Sequence, residues 1–383
     1  MSKRTHEGTN STTVRDRHSE VYLVTIEDET DEELVDEEET DSEEFTPISK
    51  KVKIVSDHID LPPHANTITA SSSPSTNPST NPIFEKLKEM DSSINFKTKK
   101  DFEEAFASIA HYLLNHVELV AKGKTFRLAE LEFYYTCAPV HNDPFNHCHA
   151  LQTTKGEWYF HQSPSKLNND NYRGGNYKGL DLSIGCAKFK GGILIRSLIR
   201  CSDNKFIEGP SLCVDEILSL YSCNTIHEFV MKHFPNQKHF NALDEKSTVH
   251  LRVCATPKSD SFIRSARVGL TLKQQRSKKE RIEFIFRPYR FCLRPEKVKK
   301  GKHLMAIVLY KELWTKGEKD IIKKVEKLIG TSGLAKYFEV FEEKKAIAFE
   351  SVSKIDAKTV KNYDKDLTTQ QIYELGGILR HIF

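Results

Sequence analysis

No run in these 383 residues approaches eighteen apolar side chains, so no segment has the length to cross a bilayer as a helix. The N-terminus has no basic and apolar leader, and a secretory signal is not expected. The eight cysteines form no Cys-x-x-Cys pair. That removes the thioredoxin-type signature and predicts free, mostly buried thiols in a reducing compartment, nucleus or cytosol. Also missing are a phosphate-binding Gly-x-x-x-x-Gly-Lys loop, a Gly-x-Gly-x-x-Gly turn and a Ser-His-Asp order. Cys137, His141, His147, Cys148 and His149 crowd together, and thiolate with imidazole suits zinc, but their spacing matches no common finger pattern. Neither a metal nor any other cofactor is expected.

What is present is sharply divided by charge. Residues 1–95 hold nine Lys/Arg and twenty-one Asp/Glu, a balance of −12. The totals of 57 and 54 then leave 48 basic and 33 acidic residues for 96–383, a balance of +15. A folded part this basic suits a polyanion, because phosphate neutralisation and counterion release supply most non-specific nucleic-acid affinity; a lysine-rich surface would give the same count.

Three regions follow. Residues 1–95 are expected to be disordered: thirteen of the eighteen residues 27–44 are acidic, and 66–82 is a Ser/Thr/Asn/Pro tract, neither able to bury enough apolar surface. Within this tail Val21, Leu23, Val24 and Ile26 form a β-prone run followed directly by acids from Glu27. The run looks like a SUMO-interacting motif, in which a strand adds to a sheet edge and the acids meet a basic rim. A solvated acidic tail is the competing reading.

Residues 96–295 read as an α+β domain with a mostly antiparallel core. Asp101 can cap a helix with Phe102, Ala105, Phe106, Ile109 and Leu113 on one side. Val117–Ala121, Phe126–Tyr135, Glu157–His161, Ile193–Arg200, Val249–Ala255 and Glu283–Phe286 read as strands, Leu212–Tyr221 and Ile226–His233 as helices. Residues 296–383 read as a charged helical extension, with helices over 317–329, 334–345 and 367–381.

The segment Arg127-Leu128-Ala129-Glu130-Leu131-Glu132-Phe133-Tyr134 carries the chemistry. Its alternation places Glu130, Glu132 and Tyr134 on one face of a strand. Asp143-Pro144-Phe145-Asn146-His147 follows. Gly191–Leu198, Glu208-Gly209-Pro210-Ser211-Leu212, Arg267-Val268-Gly269 and Arg287-Pro288-Tyr289-Arg290-Phe291 come after it in order. Together these segments resemble the alkyladenine (3-methyladenine) DNA glycosylase family, whose β-rich fold is shared with the formyltransferase C-terminal domain. The resemblance covers roughly 109–295.

The resemblance implies a DNA repair enzyme that flips a modified purine from double-stranded DNA and hydrolyses its N-glycosidic bond. A monomer is expected, in the nucleus or else the cytoplasm, and with no long apolar run it is not expected to enter a membrane. Glu132, the second acid of the matched signature, would be the base that orients water, although Glu130 could serve equally or either acid could be an ordinary strand carboxylate. Tyr134 and His147 would sandwich the extruded base, with Tyr159 as the opposite wall. Arg196 would bind phosphate, Tyr177 would plug the gap left in the duplex, and Arg173 and Lys178 would contact its backbone. At the position where the family places a purine-screening Asn, this chain has Ser183, so base choice is not inherited. A non-catalytic nucleic-acid or chromatin binder on the same fold, or a SUMO-interacting scaffold, is the alternative.

Overall fold

The computed structural model describes residues 81–163, 172–234, 240–273, 278–347, 363 and 366–383, with the backbone of two short strands at 23–24 and 54–55. The chain divides into two compact units, Met1–Glu39 with Ile48–Asn77, and Thr40–Pro47 with Pro78–Phe383. In the first unit Leu23 pairs with Val55 and Val24 with Ile54, antiparallel. So two of the four residues expected to add to a partner's sheet already have a strand partner in their own unit. Val21, Ile26 and the acids from Glu27 lie outside the described residues.

The folded part of the second unit is under way by residue 81, not 96. Asn81 accepts from Ile83 N at 2.9 Å and Pro82 takes the first helical position of α1, Pro82–Leu87, where its missing N–H costs nothing. A 3₁₀ turn, Lys88–Asn95, follows. Ile83, Leu87 and Met90 are buried in the main core. Three apolar positions beside a Ser/Thr/Asn/Pro tract are too sparse a signal to separate them from the tail. The next helix, α2 (Lys99–His116), is capped by Thr98 rather than Asp101. Asp101 is the reciprocal partner of that capping box, accepting from Thr98 N at 2.9 Å.

Ten antiparallel strands make one open sheet. They are β1 (Val117–Ala121), β2 (Lys124–Cys137), β3 (His141–Asn142), β4 (Trp158–Phe160), β5 (Leu180–Ser183), β6 (Lys190–Arg200), β7 (Phe206–Glu208), β8 (Val249–Val253), β9 (Ile263–Ser265) and β10 (Arg290–Cys292). The main path runs β8-β1-β2-β6-β5-β4. The long β2 pairs with β6 along one edge; its other edge is shared in turn by β1, β10 and β3. Alternating side chains give the sheet two unlike faces. Leu131, Phe133, Tyr135, Ile193, Ile195, Leu182, Phe160 and Phe291 join the core that contains Phe102, Phe106 and Ile109 of α2. Phe106 stacks on Phe133 with ring centroids 4.8 Å apart. The opposite face carries the polar residues described below.

Residues 283–286 are not a strand. They close helix α5, Lys278–Phe284, and its following turn. Ile282, Ile285 and Phe286 there belong to a second core. A four-residue apolar run cannot by itself tell a strand from a buried helix end. The second core also takes in Ala266, Leu272, Cys292 and the C-terminal helices α6 (Lys302–Thr315), α7 (Ile321–Ile329), α8 (Ala335–Glu343) and α9 (Thr369–Leu379). The extension therefore shares its core with residues 266–292 instead of standing as a separate body. α3 (Pro210–Leu220) and α4 (Ile226–His233) complete the unit, and among the described residues no helix is long and apolar enough to cross a membrane.

Candidate active site

Two compensating irregularities shape the centre of the sheet. The β2–β6 register shifts between Leu128 and Glu130 and again between Glu130 and Leu131, so that Arg196 is the unpaired residue on β6. Bulges of this kind re-aim side chains. Here they turn Arg196 onto the glutamates, its Nε donating to Glu130 Oε1 at 3.2 Å and its Nη1 to Glu132 Oε2 at 3.4 Å.

Glu130 is 1% exposed and held by two further donors, Arg290 Nε and Ser197 Oγ, both at 2.5 Å. Burial works to raise its pKa, but Arg290, Arg196 and the Ser197 hydroxyl together hold it below the usual carboxylate value. Glu132 is 0% exposed. Its Oε1 accepts from Val268 N at 2.8 Å, and its Oε2 accepts from the Tyr134 hydroxyl at 2.7 Å as well as from Arg196. Burial, then the Glu132 charge, push the Tyr134 phenol far above its ordinary range, so it is a hydrogen-bond donor at any physiological pH.

Arg267 backs this group. Its guanidinium lies 4.5 Å over the Tyr134 ring and grips Asp143 through Nη1 at 2.5 Å and Nη2 at 3.1 Å. Asp143 in turn accepts from Phe145 N at 3.1 Å, which fixes the turn that leads to His147.

A second polar group lies on the same sheet face. Tyr159 pairs with Asp181, Asp181 with Leu194 and Leu194 with Glu132, so the four residues form one row across β4, β5, β6 and β2. Two strand spacings of about 4.8 Å place Asp181 roughly 10 Å from Glu132 along that row. Asp181 accepts from Gln152 Nε2 at 3.2 Å and meets His161 Nε2 at 2.8 Å. The His161 ring lies edge-on to His147 at 4.5 Å, and the Tyr159 hydroxyl is 3.4 Å from His147 Nδ1. Burial, and then the neighbouring His161, drive His147 well below the ordinary imidazole value, so it is neutral.

The adjoining row is Tyr134, Gly192 and Ser183. A Cβ on Gly192 would come within 2.7 Å of Asp181 Oδ2, so only glycine lets the Asp181 carboxylate lie over the strand. The Ser183 Oγ, wholly buried, has no hydrogen-bond partner among the described residues.

The expected site residues thus separate into three places. Glu132, Tyr134 and Arg196 touch one another, and Arg196, 5% exposed, is committed to the glutamates rather than offered to phosphate. His147, Tyr159 and Ser183 share the face with them in the second group. Tyr177, 54% exposed, stands at the surface in the turn Gly175–Tyr177, with Arg173 and Lys178 on either side. Lys178 there pairs with Asp215 at 3.1 Å, and Arg173 Nε donates to Gln162 O at 3.2 Å.

Sequence reasoning passed over Arg267, Arg290, His161 and Asp181. The last two had a signal, since Tyr159 with His161 and Asp181 with Ser183 repeat the two-residue alternation used to place Glu132 on its strand. The crowded cysteines and histidines disperse: Cys137 and His141 face the main core, and no described group of three or more His, Cys, Asp or Glu is arranged to hold a metal.

No protein-family model matches the chain. It is 30% identical over 222 residues to "Uncharacterized protein L759" of Acanthamoeba polyphaga mimivirus, a match that takes in 54% of this chain and 95% of the viral protein. With nearly the whole viral sequence covered at that identity, the chain belongs to the family of this mimivirus protein.

Proposed function

We propose that the chain is a DNA base-excision glycosylase of the alkyladenine type, built on a sheet like that of the formyltransferase C-terminal domain and acting in the nucleus on double-stranded DNA. Glu132 orients the attacking water and stabilises the cationic sugar that forms as the glycosidic bond breaks, as a carboxylate does in glycoside hydrolysis. Arg196 and Val268 N position that carboxylate. The base is received by Tyr134, His147 and Tyr159.

One observation carries the reading. The only serine of β5, Ser183, presents a buried hydroxyl without a hydrogen-bond partner among the described residues, on the same sheet face as Glu132 and Tyr134. Leaving such a group unsatisfied costs about 1–3 kcal/mol, which the edge of a bound base would recover. Among the described residues Glu132 Oε1 accepts from Val268 N alone and keeps a lone pair for a water. The buried carboxylate still needs an opening for that water, and Arg196 Nη1 at 3.4 Å is the longest of its three hydrogen bonds. Extruding a damaged nucleotide costs a few kcal/mol, which stacking on the aromatic rings repays.

A second reading is favoured by the completeness with which Glu132 is enclosed: both oxygens are bonded and the residue is 0% exposed. Under it Glu132 is a structural strut, and the protein binds nucleic acid without cutting it. Labelled duplexes carrying hypoxanthine or ethenoadenine separate the two. The wild type is expected to give alkali-sensitive abasic sites. Glu132→Gln, whose amide –NH2 must face one of the donors that grip the carboxylate, should lose several degrees of thermal midpoint and, assayed below that midpoint, give none while keeping its duplex affinity. Tight, salt-sensitive binding by the wild type with no abasic product would leave only the binder.

A further inference from the structure

The stretch Arg294–Lys302 opens the C-terminal extension with five cations against one acid, Glu296. It lies beyond the part of the chain that resembles a glycosylase, yet it docks against the candidate site. Gly301 takes φ +76°, and a Cβ there would come within 2.6 Å of Val268 Cγ2 and strike the Arg290 guanidinium. Those are the two residues that hold Glu132 and Glu130. The main chain of the stretch is held at Lys299 and Lys300, and the Lys302 side chain anchors its far end. Glu208 Oε1 accepts from Lys299 N at 2.6 Å and Lys300 N at 2.8 Å, Arg290 Nη2 donates to Lys300 O at 3.1 Å, and Lys302 Nζ donates to Ile329 O and Gly330 O at 2.8 and 2.9 Å.

With the main chain pinned this way, Lys297 and Lys299 remain exposed and make no ion pair with a described residue. Glu208 also leads directly into Gly209 and α3. At the start of α3, Ser211 Oγ donates to Gly175 O at 3.0 Å and accepts from Lys178 N at 3.1 Å, which anchors the turn bearing Tyr177. Exposed Leu212 (56%) and Tyr177 (54%) lie on either side of that joint. One bonded line therefore runs from the lysine loop to the exposed tyrosine, past the residues that grip the glutamates.

We propose that the loop 294–302 is a preformed clamp for the sugar-phosphate backbone of duplex DNA, with Lys297 and Lys299 as its contacting cations. The inference rests on the nucleic-acid part of the function proposed above, but not on catalysis. A clamp whose main chain is already held has only its lysine side chains left to order on binding, and counterion release opposes that cost.

The test is the salt dependence of binding to an undamaged, labelled 25-base-pair duplex by the full chain. Each phosphate contact adds about 0.9 to the slope of log affinity against log salt, so Lys297→Ala with Lys299→Ala should lower that slope by about 1.8. Affinity at 0.1 M salt should fall roughly tenfold or more. The control pair is Lys319→Ala with Lys323→Ala, exposed residues at the opposite end of α7 from Gly330, where the loop is anchored. That pair should leave the slope unchanged.

An unaltered slope in the first variant, an equal fall in the control pair, or a wild type that binds only single strands or RNA would overturn the clamp. Release of damaged bases by a protein with an unaltered slope would sink the clamp and spare the enzyme. A reduced slope in a protein that releases no base would do the reverse.

Discussion

His141 offers the sharpest test of how this core is built. The ring is 0% exposed between Phe102 and Tyr289, with centroids at 4.3 and 5.4 Å. Its nitrogens meet Tyr135 O at 2.9 Å and the Tyr289 hydroxyl at 2.8 Å. Burial, only partly opposed by Asp143 and assisted by Arg267 and Arg287, pulls its pKa from 6.5 down to about 3. The neutral ring is thus the folded form, and the unfolded chain takes up a proton that the native one refuses. Stability from this group is complete above pH 6.5 and drains away as pH falls towards 3, at up to about 1.4 kcal/mol per unit. Between pH 7 and pH 5 the two values give a loss of about 2 kcal/mol. His141→Gln removes the titration but keeps a donor and an acceptor, so its cost is the same at every pH. Urea unfolding at pH 7, 6 and 5 should therefore show the wild type losing about 2 kcal/mol more than the variant over that span. The native carboxylates contribute equally to both proteins and cancel. Parallel pH profiles would mean that His141 is not held neutral by its surroundings, and the account of this core would be wrong.

Three further outcomes follow from the same geometry. Arg290→Met takes from the buried Glu130 its closest cation, leaving Arg196 and Ser197, and should cost about 3 kcal/mol in denaturant unfolding, with Glu130→Gln in the same chain restoring part of it; additive losses would show that the pair is not coupled. Gly191→Ala drives a methyl group into the Tyr135 ring and towards Tyr134 O at 3.0 Å, and should lower stability by about 1–3 kcal/mol, a shift visible in the urea midpoint. Deleting residues 1–80, but not beyond because Ile83 and Leu87 are core, should raise duplex affinity at low salt by removing acids that compete for the basic unit; unchanged affinity at 20 mM salt refutes that competition.

The central strand was legible because its alternation is regular: Leu131, Phe133 and Tyr135 on one side, Glu130, Glu132 and Tyr134 on the other. Period two assigns faces, but it does not say what covers them. The cover over Glu132 comes from Val268, and the partners of Glu130 from Arg290 and Arg196, all distant in sequence and invisible to local pattern. Arg196 illustrates the limit. An arginine at that strand position reads equally as a surface cation, and only the bulge opposite Glu130 turns it inward. Short apolar runs failed for a different reason. Glu283-Phe284-Ile285-Phe286 supplies both cores from a helix end, a demand that satisfies strand statistics without being a strand.

On β10, Phe291 points into one core while its neighbour Cys292 points into the other. The sheet is consequently a party wall, furnished on both sides, and neither room can be emptied without the wall moving. Val268, whose N–H fixes Glu132, lies on the segment between Ala266 and Leu272, and both of those residues lodge among the C-terminal helices. Damage to α6 or α9 thus has a direct route to the central carboxylate, and a chain trimmed back to residues 96–295 would lose the support that keeps that carboxylate in place.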